Sequence, residues 1–239
     1  MSLKTTLTQA QIDILYEILE KFDQACARAK LPYYMAGGTA LGAVRHGGLI
    51  PWDDDGDLYA LAPQFHSSAI QLYYEVNKLG LHILPMKVAK KYDSENWYKL
   101  YLGEHTVPNV DLFLMEWKSN CWKHADPHAA KWWSKEILTQ DQILRAYRTP
   151  FGPLQLPIFG SPDVYFTRVY GEDWNTVAWD GYDHVNEKER PLRANARTIH
   201  TYEPALPSNR TYSHRNTQDT KIHHYPHGSY ITPEATRPL

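Results

Sequence analysis

The run from Gly37 to Leu58 limits what this chain can fold into and do more than any other segment. It brings together Gly37-Gly38, the basic pair Arg45-His46, Gly47-Gly48 and the aspartates Asp53, Asp54, Asp55 and Asp57. A glycine-rich turn lets backbone N–H groups approach an anion closely. Asp55 and Asp57 are two positions apart, so in an extended segment their carboxylates leave the same face. Paired hard oxygen ligands beside such a turn suit a magnesium-bound phosphate ester, and the combination points to phosphate-transfer chemistry.

Familiar alternatives fail on spacing. Asp53-x-Asp55-x-Asp57 opens like a calcium loop, but Leu58 stands at its glycine position and Gln64 at its final glutamate. Gly42 to Gly47 has P-loop spacing, yet Gly48 occupies the lysine position. There is no G-x-G-x-x-G dinucleotide turn and no G-x-S-x-G nucleophile elbow. An acidic loop is by default solvated surface. Here the clustered glycines, Arg45 and the apolar strand that follows favour a two-carboxylate metal site.

The totals narrow the partners. At 239 residues the chain is long enough for one large domain or a domain with an appendage. A formal net charge of −2 gives no electrostatic case for nucleic acid or an anionic membrane. No apolar run approaches the roughly 18–20 residues of a membrane span. The N-terminus lacks the apolar core of a signal peptide, and Cys26 and Cys121 are too few for a disulfide framework. The expected location is therefore cytoplasmic. The 8 Trp and 17 Tyr are read as core packing, with a pocket for a base or a quaternary ammonium group as the alternative.

Along the chain, Thr8 and Gln11 predict a capping box, and Ile12, Leu15, Leu19, Phe22 and Cys26 predict a helix ended by Pro32. Tyr33–Met35 predicts a short strand, Thr39–His46 a short helix, and Pro63 to about Leu79 a second long helix closed by Gly80. Strands are expected near Leu81–Leu84, Lys87–Ala89, Trp97–Leu102 and Val110–Met115. Residues 132–148 read as helical, 151–157 as a loop with short extended pieces, and Pro162–Tyr170 as a last short helix. From His184 the composition turns to Pro, Arg, His, Asn and Thr, so residues 184–239 read as a polar extension that wraps the domain or is mobile.

The motif Gly38-Thr39-x-Leu41-Gly42-Ala43-Val44-Arg45-His46-Gly47-Gly48-Leu49-Ile50-Pro51-Trp52-Asp53-Asp54-Asp55-x-Asp57 closely resembles the signature of the LicD/fukutin family. Val110-Asp111-Leu112-Phe113 resembles the family's later acidic strand. Pro157 through Tyr170-Gly171-Glu172-Asp173-Trp174 resembles its C-terminal segment. The resemblance covers roughly residues 10–180 and implies an α/β nucleotidyltransferase-like fold, a small mixed sheet flanked by helices, in a catalytic domain of residues 1–183. It implies transfer of a phospho-alcohol, such as phosphocholine, from a CDP-linked donor to an acceptor hydroxyl on a glycan or small metabolite.

On that resemblance Asp55 and Asp57 would hold Mg²⁺ or Mn²⁺. Asp111 would be a third ligand or the base for the acceptor. Gly37, Gly38 and Thr39 would offer N–H groups and a hydroxyl to donor phosphate. Two other classes stay open: transfer of a nucleoside monophosphate from an NTP, and a catalytically weak relative that binds a nucleotide or a partner. Gly56 favours the last, because it replaces the family's usual apolar residue and permits a bulge between the two metal aspartates.

The remaining candidates are local. Arg45 either touches phosphate or caps the short helix and pairs with the aspartates. Lys99 is a phosphate candidate or a surface residue, and Trp52 a packing residue or a base-stacking platform. His124-x-Asp126-x-His128 has metal-like spacing but, interrupted by Pro127, reads as a polar loop. His223, His224 and His227, and the sequon at Asn209, lie in the extension.

Overall fold

In the computed structural model the described residues are 7–88, 92–103, 105–178, 182–183, 188–189, 197–199 and 202–208. The chain opens with α1 (Gln9–Ala29), whose Ile12, Leu15, Leu19, Phe22 and Cys26 are buried along one face. Its capping box is in place, Thr8 accepting from the Gln11 N–H and donating its own N–H to the Gln11 side chain. The helix stops ahead of Pro32 because Lys30 turns left-handed (φ 55°) and the Leu31 N–H returns to the Cys26 carbonyl at 2.9 Å.

Then follow β1 (Tyr33–Met35), α2 (Gly37–Arg45), β2 (Gly56–Leu61), α3 (Ala62–Lys78), β3 (Leu81–Val88), β4 (Tyr92–Leu102), β5 (His105–Lys118) and β6 (Cys121–His124). After these come α4 (Pro127–Trp132), α5 (Gln140–Leu144), β7 (Tyr147–Phe151), β8 (Leu154–Ile158) and α6 (Pro162–Tyr170). The central six-stranded sheet runs β1-β2-β5-β4-β3, with β6 paired to β5. Only β2 and β5 are parallel; the other pairings are antiparallel. A mixed sheet between helices is thus the observed architecture.

The expected helix over 132–148 is not formed as one element. After α4, Leu138 forms an extended bridge with Trp122 through backbone hydrogen bonds of 2.8 and 3.0 Å. Helix resumes only at α5, where Thr139 and Gln142 make a second capping box. Residues 147–158 form the hairpin β7–β8 rather than a loop, and its Gly152 N–H donates to the Gly47 carbonyl at 2.6 Å.

Period-two alternation sorts the sheet into two faces. Gly56 of β2 and Val110 of β5 face Leu15 of α1. Asp57, Tyr59, Asp111, Phe113, Trp97 and Lys99 leave the opposite face, in register across β2, β5 and β4. Rings of Phe113, Trp97, Trp133 and His124 pack there at centroid separations of 4.9 to 5.9 Å. Burial of the Phe113 side chain contributes about 1.5–3 kcal/mol by area.

Residues 202–208 lie along α1 and the turn after α2. The Ala205 N–H donates to the Leu49 carbonyl at 2.9 Å. The buried Tyr16 hydroxyl donates to the Ala205 carbonyl at 3.0 Å and accepts from the Leu49 N–H at 3.1 Å. Most of 184–239, including His223, His224, His227 and the Asn209 sequon, lies outside the described residues.

Candidate active site

The parallel pairing of β2 with β5 sets Asp57 directly beside Asp111. Asp55 lies in the bend just before β2, so it is chain direction rather than strand pleat that turns it toward Asp57. Asp55, Asp57 and Asp111 each place a carboxylate oxygen within 4.8 Å of the other two. Asp53, Asp54 and Asp55 form a second such group, with Asp55 common to both.

Gly56 introduces no bulge. Gly56 pairs with Val110, Asp57 with Asp111, and the register runs unbroken to Leu61. A Cβ at Gly56 would lie 3.1 Å from Val110 Cγ2 and 3.6 Å from Leu15 Cδ2. The space an apolar side chain would take is filled by those two residues.

The glycine pair makes room for the acids. Gly37 has φ 43°, and a Cβ there would come within 2.6 Å of Asp57 Oδ2; one at Gly38 would collide with the Asp53 carboxylate. The Gly38 N–H donates to Asp57 Oδ2 at 3.2 Å, and the Asp57 N–H donates to Thr39 Oγ1 at 2.8 Å. The N-terminal turn of α2 therefore grips Asp57 at both backbone and side chain, where the helix dipole favours negative charge.

Burial, then Asp55, then Asp111, hold the Asp57 carboxyl well above the usual carboxylate range. Asp53 is raised in the same sense by burial and by Asp55 and Asp54. Three converging carboxylates whose charges oppose one another make an oxygen-only donor set suited to a hard divalent cation such as Mg²⁺ or Mn²⁺.

Lys99 stands opposite Asp111 in the β4–β5 register, its Nζ 2.7 Å from Asp111 Oδ1 and 2.8 Å from Asn109 Oδ1. Burial works against the lysine charge, but Asp111 more than offsets it and the Lys99 pKa is raised. Arg45 donates to the carbonyls of Trp174 at 2.8 Å and Val177 at 3.4 Å, and its guanidinium lies 5.9 Å from the Trp52 ring centroid. It thus fastens the segment after α6 to α2, and burial lowers its pKa to about 10. His46 stacks edge-on to Trp52, and burial followed by Arg45 lowers its pKa to about 4.

A polar group escaped the sequence reading. Glu136, between α4 and α5, accepts from the Tyr59 hydroxyl at 2.5 Å and from His124 Nε2 at 3.2 Å. The Tyr59 hydroxyl also meets that of Tyr165, of α6, at 2.9 Å. The pKa of Tyr170, at the end of α6, is raised well above the tyrosine range by burial, then by Glu136, Asp57 and Asp53. The one signal for this group was Tyr59, two positions after Asp57 on the same strand face. In the His124–His128 stretch, Asp126 caps α4, accepting from the N–H groups of His128 and Ala129 at 2.9 Å each.

Lipopolysaccharide cholinephosphotransferase LicD of Haemophilus influenzae is 48% identical over 56 residues, 23% of this chain and 21% of that protein. An uncharacterized protein of Rickettsia prowazekii is 34% identical over 71 residues, 26% of this chain and 27% of that one. The chain therefore matches only about a quarter or less of the length of these relatives. Among solved structures, the lincosamide antibiotic adenylyltransferase LnuA is 15% identical over 63% of this chain and 84% of its own, with a TM-score of 0.38. ANT(2")-Ia is 21% identical over 46% and 54%, with a TM-score of 0.32. Both scores are too low for the likeness to add to the fold described above. The family described as LicD/FKTN/FKRP, nucleotidyltransferase domain, matches residues 30–158, more than half of the sequence and the span from β1 through β8, and this chain belongs to that family.

Proposed function

We propose that this protein is a metal-dependent phosphotransferase that moves a phospho-alcohol, phosphocholine-like, from a CDP-linked donor to a hydroxyl of a glycan or small metabolite. The observation that carries this reading is the convergence of Asp55 and Asp57, from the start of β2, with Asp111 of β5, their ligand oxygens within 4.8 Å of one another. The name of the Haemophilus relative, a cholinephosphotransferase, supports phosphocholine as the kind of group transferred.

In this reading Asp55, Asp57 and Asp111 hold Mg²⁺ or Mn²⁺. The ion would supply positive charge against the donor pyrophosphate as its P–O bond breaks. Lys99 fixes the Asp111 carboxylate and adds a positive charge beside the donor phosphate. Gly38 and Thr39 orient Asp57 through the bonds described, and the first turn of α2 adds its dipole on the side of the donor phosphate. Arg45 acts on the site through the segment after α6, which it holds against α2.

The test is product identity. The protein is incubated with CDP-alcohols, sugar acceptors and Mg²⁺ or Mn²⁺, and CMP is scored; in parallel it is given NTPs and pyrophosphate is scored. CMP release supports phospho-alcohol transfer. Pyrophosphate release would instead establish nucleotidyl transfer, the second reading, which the name of the family's domain favours. Release of neither with any divalent metal rejects both.

A further inference from the structure

Lys99 brings a cation into direct contact with the carboxylate trio. It leaves β4 on the face shared by Asp57 and Asp111, opposite Asp111 in the strand register. Its Nζ lies 2.7 Å from Asp111 Oδ1 and 2.8 Å from Asn109 Oδ1, and the side chains of the ion pair are 20% and 8% exposed. An ammonium has three N–H donors, and these contacts use two. Whichever oxygen Asp111 turns to a divalent ion, its charge is already shared with that ammonium. Three carboxylates against one ammonium leave two formal negative charges in place of three. Mg²⁺ gives up its water reluctantly and is ordinarily held by one or two carboxylates together with substrate phosphates. A lysine seated on the third carboxylate imposes that division. It weakens the pull of the protein on the ion alone and keeps positive charge and an N–H for a phosphate that accompanies the ion.

We propose that Lys99 makes the metal site incomplete without the donor: it holds back the ion alone and favours the ion bound together with the donor pyrophosphate. This rests on the phosphotransferase reading above and gives Lys99 a role beyond fixing Asp111. In the protein alone, the ion competes with the ammonium for Asp111. With the donor present, phosphate oxygens complete the shell of the ion and accept the third N–H of Lys99, so the ammonium attracts the complex where it repelled the bare ion. By linkage, the factor by which the donor tightens the ion is the factor by which the ion tightens the donor.

The experiment measures Mn²⁺ binding to the protein alone, from the electron-spin signal of the free ion, for wild type, Lys99→Gln and Lys99→Arg. Binding of CDP, the part that donors of this class share, is measured by calorimetry at saturating Mn²⁺. Lys99→Gln keeps an N–H donor for Asp111 and Asn109 and removes the charge. It should bind Mn²⁺ alone about tenfold or more tightly than wild type, and CDP about tenfold or more weakly. Lys99→Arg keeps the charge and should stay within about threefold of wild type for Mn²⁺. A lysine that only held Asp111 in place would give the opposite sign, because its loss would loosen a ligand and weaken Mn²⁺ binding. Should Lys99→Gln not fold, Lys99→Met makes the same charge change and is measured in its place. Mn²⁺ affinity that is unchanged or weaker in the neutral variant overturns the proposal, as does CDP affinity that is unchanged or tighter, or an equal rise of Mn²⁺ affinity in Lys99→Arg. Absence of Mn²⁺ binding in wild type and neutral variant alike overturns the metal site and this role with it. Wild type that binds Mn²⁺ yet releases no CMP from any CDP-alcohol overturns the phosphotransferase reading, and the Mn²⁺ comparison still decides the role of Lys99.

Discussion

Lys99 Nζ and Asp111 Oδ1 lie 2.7 Å apart across the registered pair of β4 and β5, joining the most buried carboxylate of the metal-suited trio to a single cation. The ion pair is part of the sheet itself, since each partner projects from a strand whose register is set by backbone hydrogen bonds.

Removing the lysine should therefore be costly. Lys99→Met leaves Asp111 as an uncompensated buried charge, and about 3 kcal/mol should be lost in urea denaturation of the metal-free protein. The double variant Lys99→Met/Asp111→Asn removes both charges and should recover most of that loss. Equal stability of the single and double variants would contradict this account.

The acidic cluster should make the protein responsive to divalent metal. Burial, Asp55 and Asp111 raise Asp57 above its ordinary value of 3.8. A raised carboxyl stabilises the fold fully below that ordinary value, and the contribution is lost as pH climbs through the folded value. At neutral pH the metal-free protein thus carries the cost of crowded charge. Mg²⁺ at about 100 times its Kd should add about 2.7 kcal/mol, seen as a rise in melting temperature. Asp57→Asn should melt higher than wild type without metal, gain less from Mg²⁺ and release no CMP.

His46 predicts the opposite slope on the acid side. Burial and then Arg45 lower its pKa from 6.5 to about 4, and its Nε2 is buried without a hydrogen-bond partner among the described residues. The unfolded chain takes up a proton in that interval and the folded one does not. Stability from this residue is complete above pH 6.5 and is lost as pH falls toward 4, about 3 kcal/mol in all. The difference in unfolding free energy between wild type and His46→Asn should change by about that amount between pH 7 and 4. A pH-independent difference would show that His46 charges freely in the fold.

Gly56 can be tested by filling it. With Val110 Cγ2 3.1 Å from the position of a Cβ, Gly56→Val should overpack the contact with α1 and cost about 1–3 kcal/mol. Val110→Ala in the same chain should relieve much of it. If Gly56→Val alone is neutral, the site is less tightly closed than the contacts imply.

Much of this site was legible because its determinants are short-range. The glycine pair, the aspartates and the capping box at Thr8 are all read within a few residues, and α1, β1, α3 and α6 appear close to where periodicity and capping place them. Asp111 was accessible only through family resemblance, since its meeting with Asp57 depends on parallel pairing of β2 with β5. Glu136 was not legible. It falls in the stretch read as helix, and its contact with Tyr59 spans 77 positions, so no local pattern announces it. The same stretch was misread because the bridge of Leu138 to Trp122 outweighs helix propensity there. Gly56 was expected to loosen the strand, but its neighbours close over it.

The support of the acidic turn comes from both sides of the span matched to the family, outside it. Leu49, four residues before Asp53, is paired with Ala205 and bonded to Tyr16, and Arg45 is bound to the carbonyls of Trp174 and Val177. The signature is consequently not a portable cassette. Moved into another scaffold, or expressed only as residues 30–158, it would keep its ligands and lose the clamps that aim them.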